Sequence, residues 1–198
     1  MKETKKVMSP QTLAFGAILT AMVIVLQFMG TFIHLGMFSI SLVLIPIVIG
    51  ATVCGVGVGA WLGLVFGAVV LFSGDATAFM GLNAIGTIIT VLLKGFLCGL
   101  ASAFTYKALS KKNDTLGVIA SAIVCPIVNT GVFTIGCFVF FFGGLTQWAA
   151  ANGFGDNTVS YIFLGIIGAN FIFELLFNAV LSPIIVKLIG IAKKQLKA

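Results

Sequence analysis

The chain has 198 residues, of which 60% are hydrophobic and 8% charged, and its mean hydropathy is +1.23. A soluble domain carries roughly 25% charged residues, and a disordered chain needs low hydrophobicity with high charge, so both classes are excluded. An integral membrane protein remains, and the length suits one bundle of about six helices. The formal net charge of +6 comes from eleven basic residues, all lysine. Bidentate reading of phosphates and bases is mostly arginine chemistry, so the charge does not point to nucleic acid.

The first apolar run, about Thr12–Met29, follows Lys2, Lys5 and Lys6. It is longer than the roughly 7–15 residues of a signal-peptide core and is expected to be a first transmembrane helix. The next uncharged stretch, Ser39 to Gly74, would be about 54 Å long as one helix, against a hydrocarbon core of about 30 Å. It must fold back, and Gly55-Val56-Gly57-Val58-Gly59 is the natural turn. That gives a second span over 39–54 and a third over 56–73. A fourth is expected over 83–106, a fifth over 116–142 and a sixth over 160–189. The whole chain, 1–198, then forms one membrane domain of the all-α class, a six-transmembrane-helix bundle.

Parity supports this count. Lys2, Lys5 and Lys6, then Lys107, Lys111 and Lys112, then Lys187, Lys193, Lys194 and Lys197 form three clusters at the ends of apolar runs. Six spans place all three on one side, which the excess of lysine makes cytoplasmic, with both termini there. The outer loops are then 30–38, 73–82 and 143–159, which hold His34, Asp75 and Asp156 and no lysine.

Small residues mark close packing. Gly55, Gly59, Gly63 and Gly67 recur every fourth residue in span three, and Gly95, Gly99 and Ala103 do so in span four. Such faces let backbones approach closely. Ala17 and Ala21 form a similar pair in span one. Pro46, Pro126 and Pro183 permit kinks. Cys54, Cys98, Cys125 and Cys137 sit in apolar runs without a Cys-x-x-Cys pair and read as small buried hydrophobes.

Polar groups inside the spans carry the functional reading, because an ionisable group at bilayer depth costs about 2.5–3.5 kcal/mol and needs a partner or a purpose. Lys94 lies roughly 15 Å into span four and Glu174 roughly 21 Å into span six, counted from the outer side. Asn170, Glu174 and Asn178 share one face at i, i+4 and i+8. Asn129 sits at similar depth in span five, Gln27 near the outer end of span one, and Asn83 at the start of span four. His34 lies in an outer loop. Together these predict an outward-opening polar pocket with apolar walls, the usual make-up of a small-molecule site. A structural Lys94–Glu174 ion pair with asparagines joining helices is the simpler alternative. No Gly-x-x-x-x-Gly-Lys-[Ser/Thr] or His-Glu-x-x-His pattern is present, so neither ATP hydrolysis, enzyme chemistry, a metal nor a cofactor is expected.

The chain resembles the substrate-binding S components of energy-coupling factor (ECF) transporters, which take up vitamins in bacteria. The resemblance covers nearly the whole chain. It rests on the Ala17-Ile-Leu-Thr-Ala21 segment, similar to the family's small-x-x-x-small docking motif, and on Leu42-Val-Leu-Ile-Pro-Ile-Val-Ile-Gly-Ala51 followed by the Gly-rich turn. The Asn170, Glu174, Asn178 face and Leu181-Ser-Pro183 complete it. The resemblance implies a multi-pass protein of the bacterial cell membrane that binds a vitamin or precursor from outside. It implies partners too: a transmembrane coupling (T) subunit, met by Ala17 and Ala21, and two cytoplasmic ATPase subunits. The S component would topple to deliver its ligand, with loops 30–38 and 73–82 gating the pocket. Only Trp61 and Trp148 are available, which makes thiamine less expected. A buried lysine suits a carboxylate, and Asn and Glu suit hydroxyl and amide groups, so pantothenate is the favoured ligand, with riboflavin and pyridoxine-like molecules open. A stand-alone proton- or sodium-coupled transporter using Glu174 is the main rival, and an assembly protein without ligand the second.

Overall fold

The computed structural model describes residues 9–31, 34–35, 38–39 and 42–195. Helix α1 spans Pro10–Gly30. Ser9 caps it by accepting from the Thr12 amide at 3.2 Å, and Pro10 occupies the first turn, where a missing N–H costs nothing. One stripe of α1 is buried, running through Gly16, Leu19, Val23, Gln27 and Gly30. A two-residue hairpin follows, with β1 (His34–Leu35) antiparallel to β2 (Phe38–Ser39).

Helix α2 covers Leu44–Val53, only ten residues, where the sequence placed a span over 39–54. At 1.5 Å per residue it is about 15 Å long, half of a hydrocarbon core. Pro46 accounts for the late start: without an amide hydrogen it fits only the first turn of a helix, which pins that turn to Leu44. Eight of the ten residues are buried, so α2 is apolar all round and is enclosed by its neighbours. The chain reverses at Gly55, whose φ of +91° is open to glycine at little cost.

Helix α3 runs from Val56 to Ser73, α4 from Thr77 to Leu82, α5 from Ala84 to Leu109 and α6 from Asp114 to Gly136. Beyond Gly136 the chain continues through a π-helical segment, π1 (Cys137–Phe141), into α7 (Phe142–Ala151). A short turn, α8 (Thr158–Ser160), leads into a second segment, π2 (Tyr161–Gly168), and then α9 (Ala169–Gln195). Among the described residues, five helical runs are long and apolar enough to cross a membrane, and α2 is a shorter sixth apolar helix. The last two long runs extend over 38 and 35 residues, further than the fifth and sixth predicted spans.

The glycine faces meet each other. A Cβ placed on Gly63 would collide with the Gly95 carbonyl, one on Gly99 with the Gly59 carbonyl, and one on Gly67 would lie 2.7 Å from the Val91 oxygen. Helices α3 and α5 therefore touch backbone to backbone, a packing available only to small residues. Gly55 belongs to the turn and takes no part in this contact. The core has two parts. One gathers Leu44, Ile47, Leu62, Phe66, Val91 and Ile189 around α2. The other gathers Phe79, Phe141, Leu145, Tyr161, Ile162 and Ile166 around α4, α7 and the two π segments.

Candidate functional site

A cavity of about 60 Å³ lies where these two clusters adjoin. Phe66 and Val70 reach it from α3, and Thr87, Thr90, Val91 and Lys94 from α5. Asn129, Thr130 and Phe133 come from α6, and Asn170, Phe171 and Glu174 from α9. Gln27 arrives from α1, Asp75 and Ala76 from the turn after α3, and Phe79 from α4. Phe141 in π1 and Ile166 and Ile167 in π2 complete the wall. Both π segments contribute to the lining. The extra residue in a π turn rotates the following side chains relative to a regular helix, and such turns recur at functional sites.

The polar groups are held in specific ways. Lys94 places Nζ 5.3 Å from the ring centre of Phe66 and 5.5 Å from that of Phe133. Its charge is thus flanked by two aromatic faces, an arrangement that stabilises a cation in an apolar wall. Gln27, only 2% exposed, donates from Nε2 to Oδ2 of Asp75 at 2.5 Å. This bond ties α1 to the turn after α3. Glu174 is 2% exposed, and Asn170 donates to its Oε1 at 3.5 Å, one helical turn away. Thr90 and Asn129 are buried, and the Thr90 Oγ1 and the Oδ1 atoms of Asn129 and Asn170 have no hydrogen-bond partner among the described residues. Buried oxygens of this kind are costly unless something satisfies them.

Of the residues singled out from sequence, Lys94, Glu174, Asn170, Asn129 and Gln27 line this one cavity. Asn83 and Asn178 do not. Asn83 caps α5 by accepting from the Gly86 amide at 2.9 Å and donates to the Phe140 carbonyl at 3.5 Å. Asn178 is buried and donates to the Glu174 carbonyl at 2.9 Å, a local bond within α9. The His34 side chain lies outside the described residues. Ala17 and Ala21 are exposed on α1, on the side away from its buried stripe, beside exposed Leu13, Ile18 and Ile24.

The apolar wall expected from the sequence is present, but sequence reading does not find Asp75, the threonines Thr87, Thr90 and Thr130, or which aromatic residues build that wall. Asp75 carried a signal, as one of only five acidic residues in the chain, but its loop position gave no hint that it turns inward. The aromatic wall draws Phe66, Phe79, Phe133, Phe141 and Phe171 from five separate elements, which no sequence period can join. Phe79 is the plug of this wall. Its ring packs edge-on against Phe133, Phe141 and Trp148 at 5.3, 5.1 and 5.5 Å.

The arrangement is suited to holding a small molecule: a mostly apolar enclosure with a few fixed polar groups. Among the described residues no three of His, Cys, Asp and Glu come together as metal ligands. Searches of curated proteins and of solved structures find no match. The family model described as "ECF transporter, substrate-specific component" does match, over residues 11–186. That match takes in every residue lining the cavity, from Gln27 to Glu174, and the chain therefore belongs to the substrate-specific components of ECF transporters.

Proposed function

We propose that the cavity bounded by Lys94, Asp75 and Glu174 is the substrate site, and that the protein binds there a water-soluble vitamin or vitamin precursor. The observation that carries this reading is the meeting of charged, amide and hydroxyl groups from α1, the turn after α3, α5, α6 and α9 in one aromatic-walled space. A purely structural ion pair would not gather unpartnered amide and hydroxyl oxygens around itself. The ligand enters from outside and leaves to the cytoplasm, with both chain termini on the cytoplasmic side. Delivery requires a T subunit and two ATPases, and the exposed Ala17 and Ala21 face of α1 is where the T subunit docks. Pantothenate is the favoured ligand, its carboxylate suited to Lys94 and its hydroxyl and amide groups to the asparagines and Glu174, with riboflavin and pyridoxine-like molecules as the others.

The test is vitamin uptake in bacterial cells expressing the chain with and without the T subunit and ATPases. Uptake that needs the module and survives an ionophore supports the proposal. Uptake by the chain alone, abolished by an ionophore, would establish the stand-alone coupled transporter instead, with Glu174 as the first residue to examine.

A further inference from the structure

A threonine inside an α-helix ordinarily turns its hydroxyl back onto the carbonyl four residues earlier. In this chain Thr20, Thr52, Thr87, Thr134 and Thr146 do so, at 2.7–3.0 Å. Thr90 on α5 does not. It is 2% exposed, and its Oγ1 has no hydrogen-bond partner among the described residues. Its side chain lies against Gly136 of α6, where an added Cβ would sit 2.6 Å from Oγ1. The glycine leaves room for the hydroxyl beside the cavity that Thr90 lines. Asn129, two turns earlier on α6 and 4% exposed, lines the same cavity. Its Oδ1 also lacks a partner among the described residues. Two buried polar groups on adjoining helices, neither of them ionisable, thus meet one cavity with hydrogen-bonding capacity unused.

We infer that Thr90 and Asn129 form a neutral subsite that selects ligands by a hydroxyl group. This rests on the cavity being the substrate site, as proposed above, and it names two residues that set its specificity. The Asn129 Oδ1 can only accept a hydrogen bond, whereas the Thr90 hydroxyl can donate or accept. A ligand hydroxyl does both, so a hydroxyl-bearing part of the ligand lying against α5 and α6 satisfies the two oxygens. An ionised carboxylate cannot donate to Asn129, and a methyl group leaves both oxygens bare. A site built to hydrogen-bond a hydroxyl discriminates strongly against the analogue that lacks it, because its own buried polar atoms then stay unpaired.

The test uses the purified full chain in lipid nanodiscs. Pyridoxine, pantothenate and riboflavin are titrated by calorimetry beside analogues whose hydroxyls are replaced one at a time by hydrogen. For the vitamin that binds, at least one such analogue is expected to bind about tenfold or more weaker. Thr90→Val and Asn129→Leu are close to isosteric, and together they should remove that preference, bringing vitamin and analogue within about threefold. Thermal melts of the ligand-free variants give a second readout. Replacing an unpartnered buried polar group by an apolar one of the same shape leaves stability unchanged or raises it, so each variant should melt at or above the wild-type temperature. Analogues that all match their vitamin, or a hydroxyl preference that survives in the double variant, overturn this inference alone. Lowered melting temperatures in the ligand-free variants show that the two groups are bonded within the fold, and overturn it as well. No binding by any of the three vitamins overturns the substrate-site reading and this inference with it.

Discussion

Gly63→Ala adds a single methyl group at the closest approach of α3 and α5. The added Cβ would lie 2.8 Å from the Gly95 carbonyl carbon, about 1 Å inside ordinary contact. The obstacle is backbone, so no rotamer change relieves it and the helices must part by a comparable distance. Overpacking of this kind costs about 1–3 kcal/mol. With backbone on both sides, about 3 kcal/mol is expected, opposed by up to about 1 kcal/mol from the better helix propensity of alanine. The net prediction is a loss of about 2 kcal/mol. Gly57→Ala is the internal control, since a Cβ there meets nothing within 4 Å, and it should be neutral or stabilising. Reversible unfolding of both variants in mixed micelles with increasing dodecyl sulfate gives the comparison. The separation also moves Phe66 on α3 away from Lys94 on α5, now 5.3 Å apart, so Gly63→Ala should weaken ligand binding as well. Equal stability of Gly63→Ala and Gly57→Ala would refute the backbone-contact argument.

Three further outcomes follow from the same geometry. Lys94→Met keeps the length of the side chain and removes its charge, and should weaken ligand binding by about 1.5–3 kcal/mol, the worth of a charged hydrogen bond; unchanged affinity in a titration removes Lys94 from the site. Ala17→Trp adds bulk to the exposed face of α1 and should abolish module-dependent uptake while ligand affinity stays within twofold; normal uptake shows that docking occurs elsewhere. Phe79→Ala empties a ring site held by three edge-on aromatic contacts, and should cost about 3 kcal/mol of stability and speed ligand release at least tenfold in a chase experiment; an unchanged release rate shows that α4 does not cover the cavity.

The helical membrane class was legible because hydropathy is a local property. The glycine period of α3 and α5 identified faces for close approach, and the structure shows that the two faces are each other's partners. Depth along a helix also transferred well. Lys94, Asn129, Asn170, Glu174 and Gln27 stand out in the sequence as polar residues within apolar runs, and they line one cavity. What failed to transfer was whatever depends on local competition or on loops. Asn83 stands directly before Ala84, where an asparagine side chain satisfies a free helix amide, and that cap accounts for its position at the start of α5. Asn178 bonds back to the carbonyl of Glu174 four residues earlier, so sharing a helical face with Glu174 did not bring it to the cavity. The short α2 follows from Pro46, a residue noted for kinking rather than for setting a start. The π segments have no sequence signature of their own, yet they aim Phe141, Ile166 and Ile167 at the site. Asp75 is the costliest omission, because it adds a second carboxylate to the cavity wall beside Glu174.

The central claim is that this chain binds a small vitamin-like molecule. Native mass spectrometry of the full chain, purified from membranes with gentle release and identification of whatever it carries, tests this most directly. One small molecule per chain, a water-soluble vitamin or precursor, is the predicted result. A chain that emerges empty and takes up no member of a vitamin panel would contradict the account.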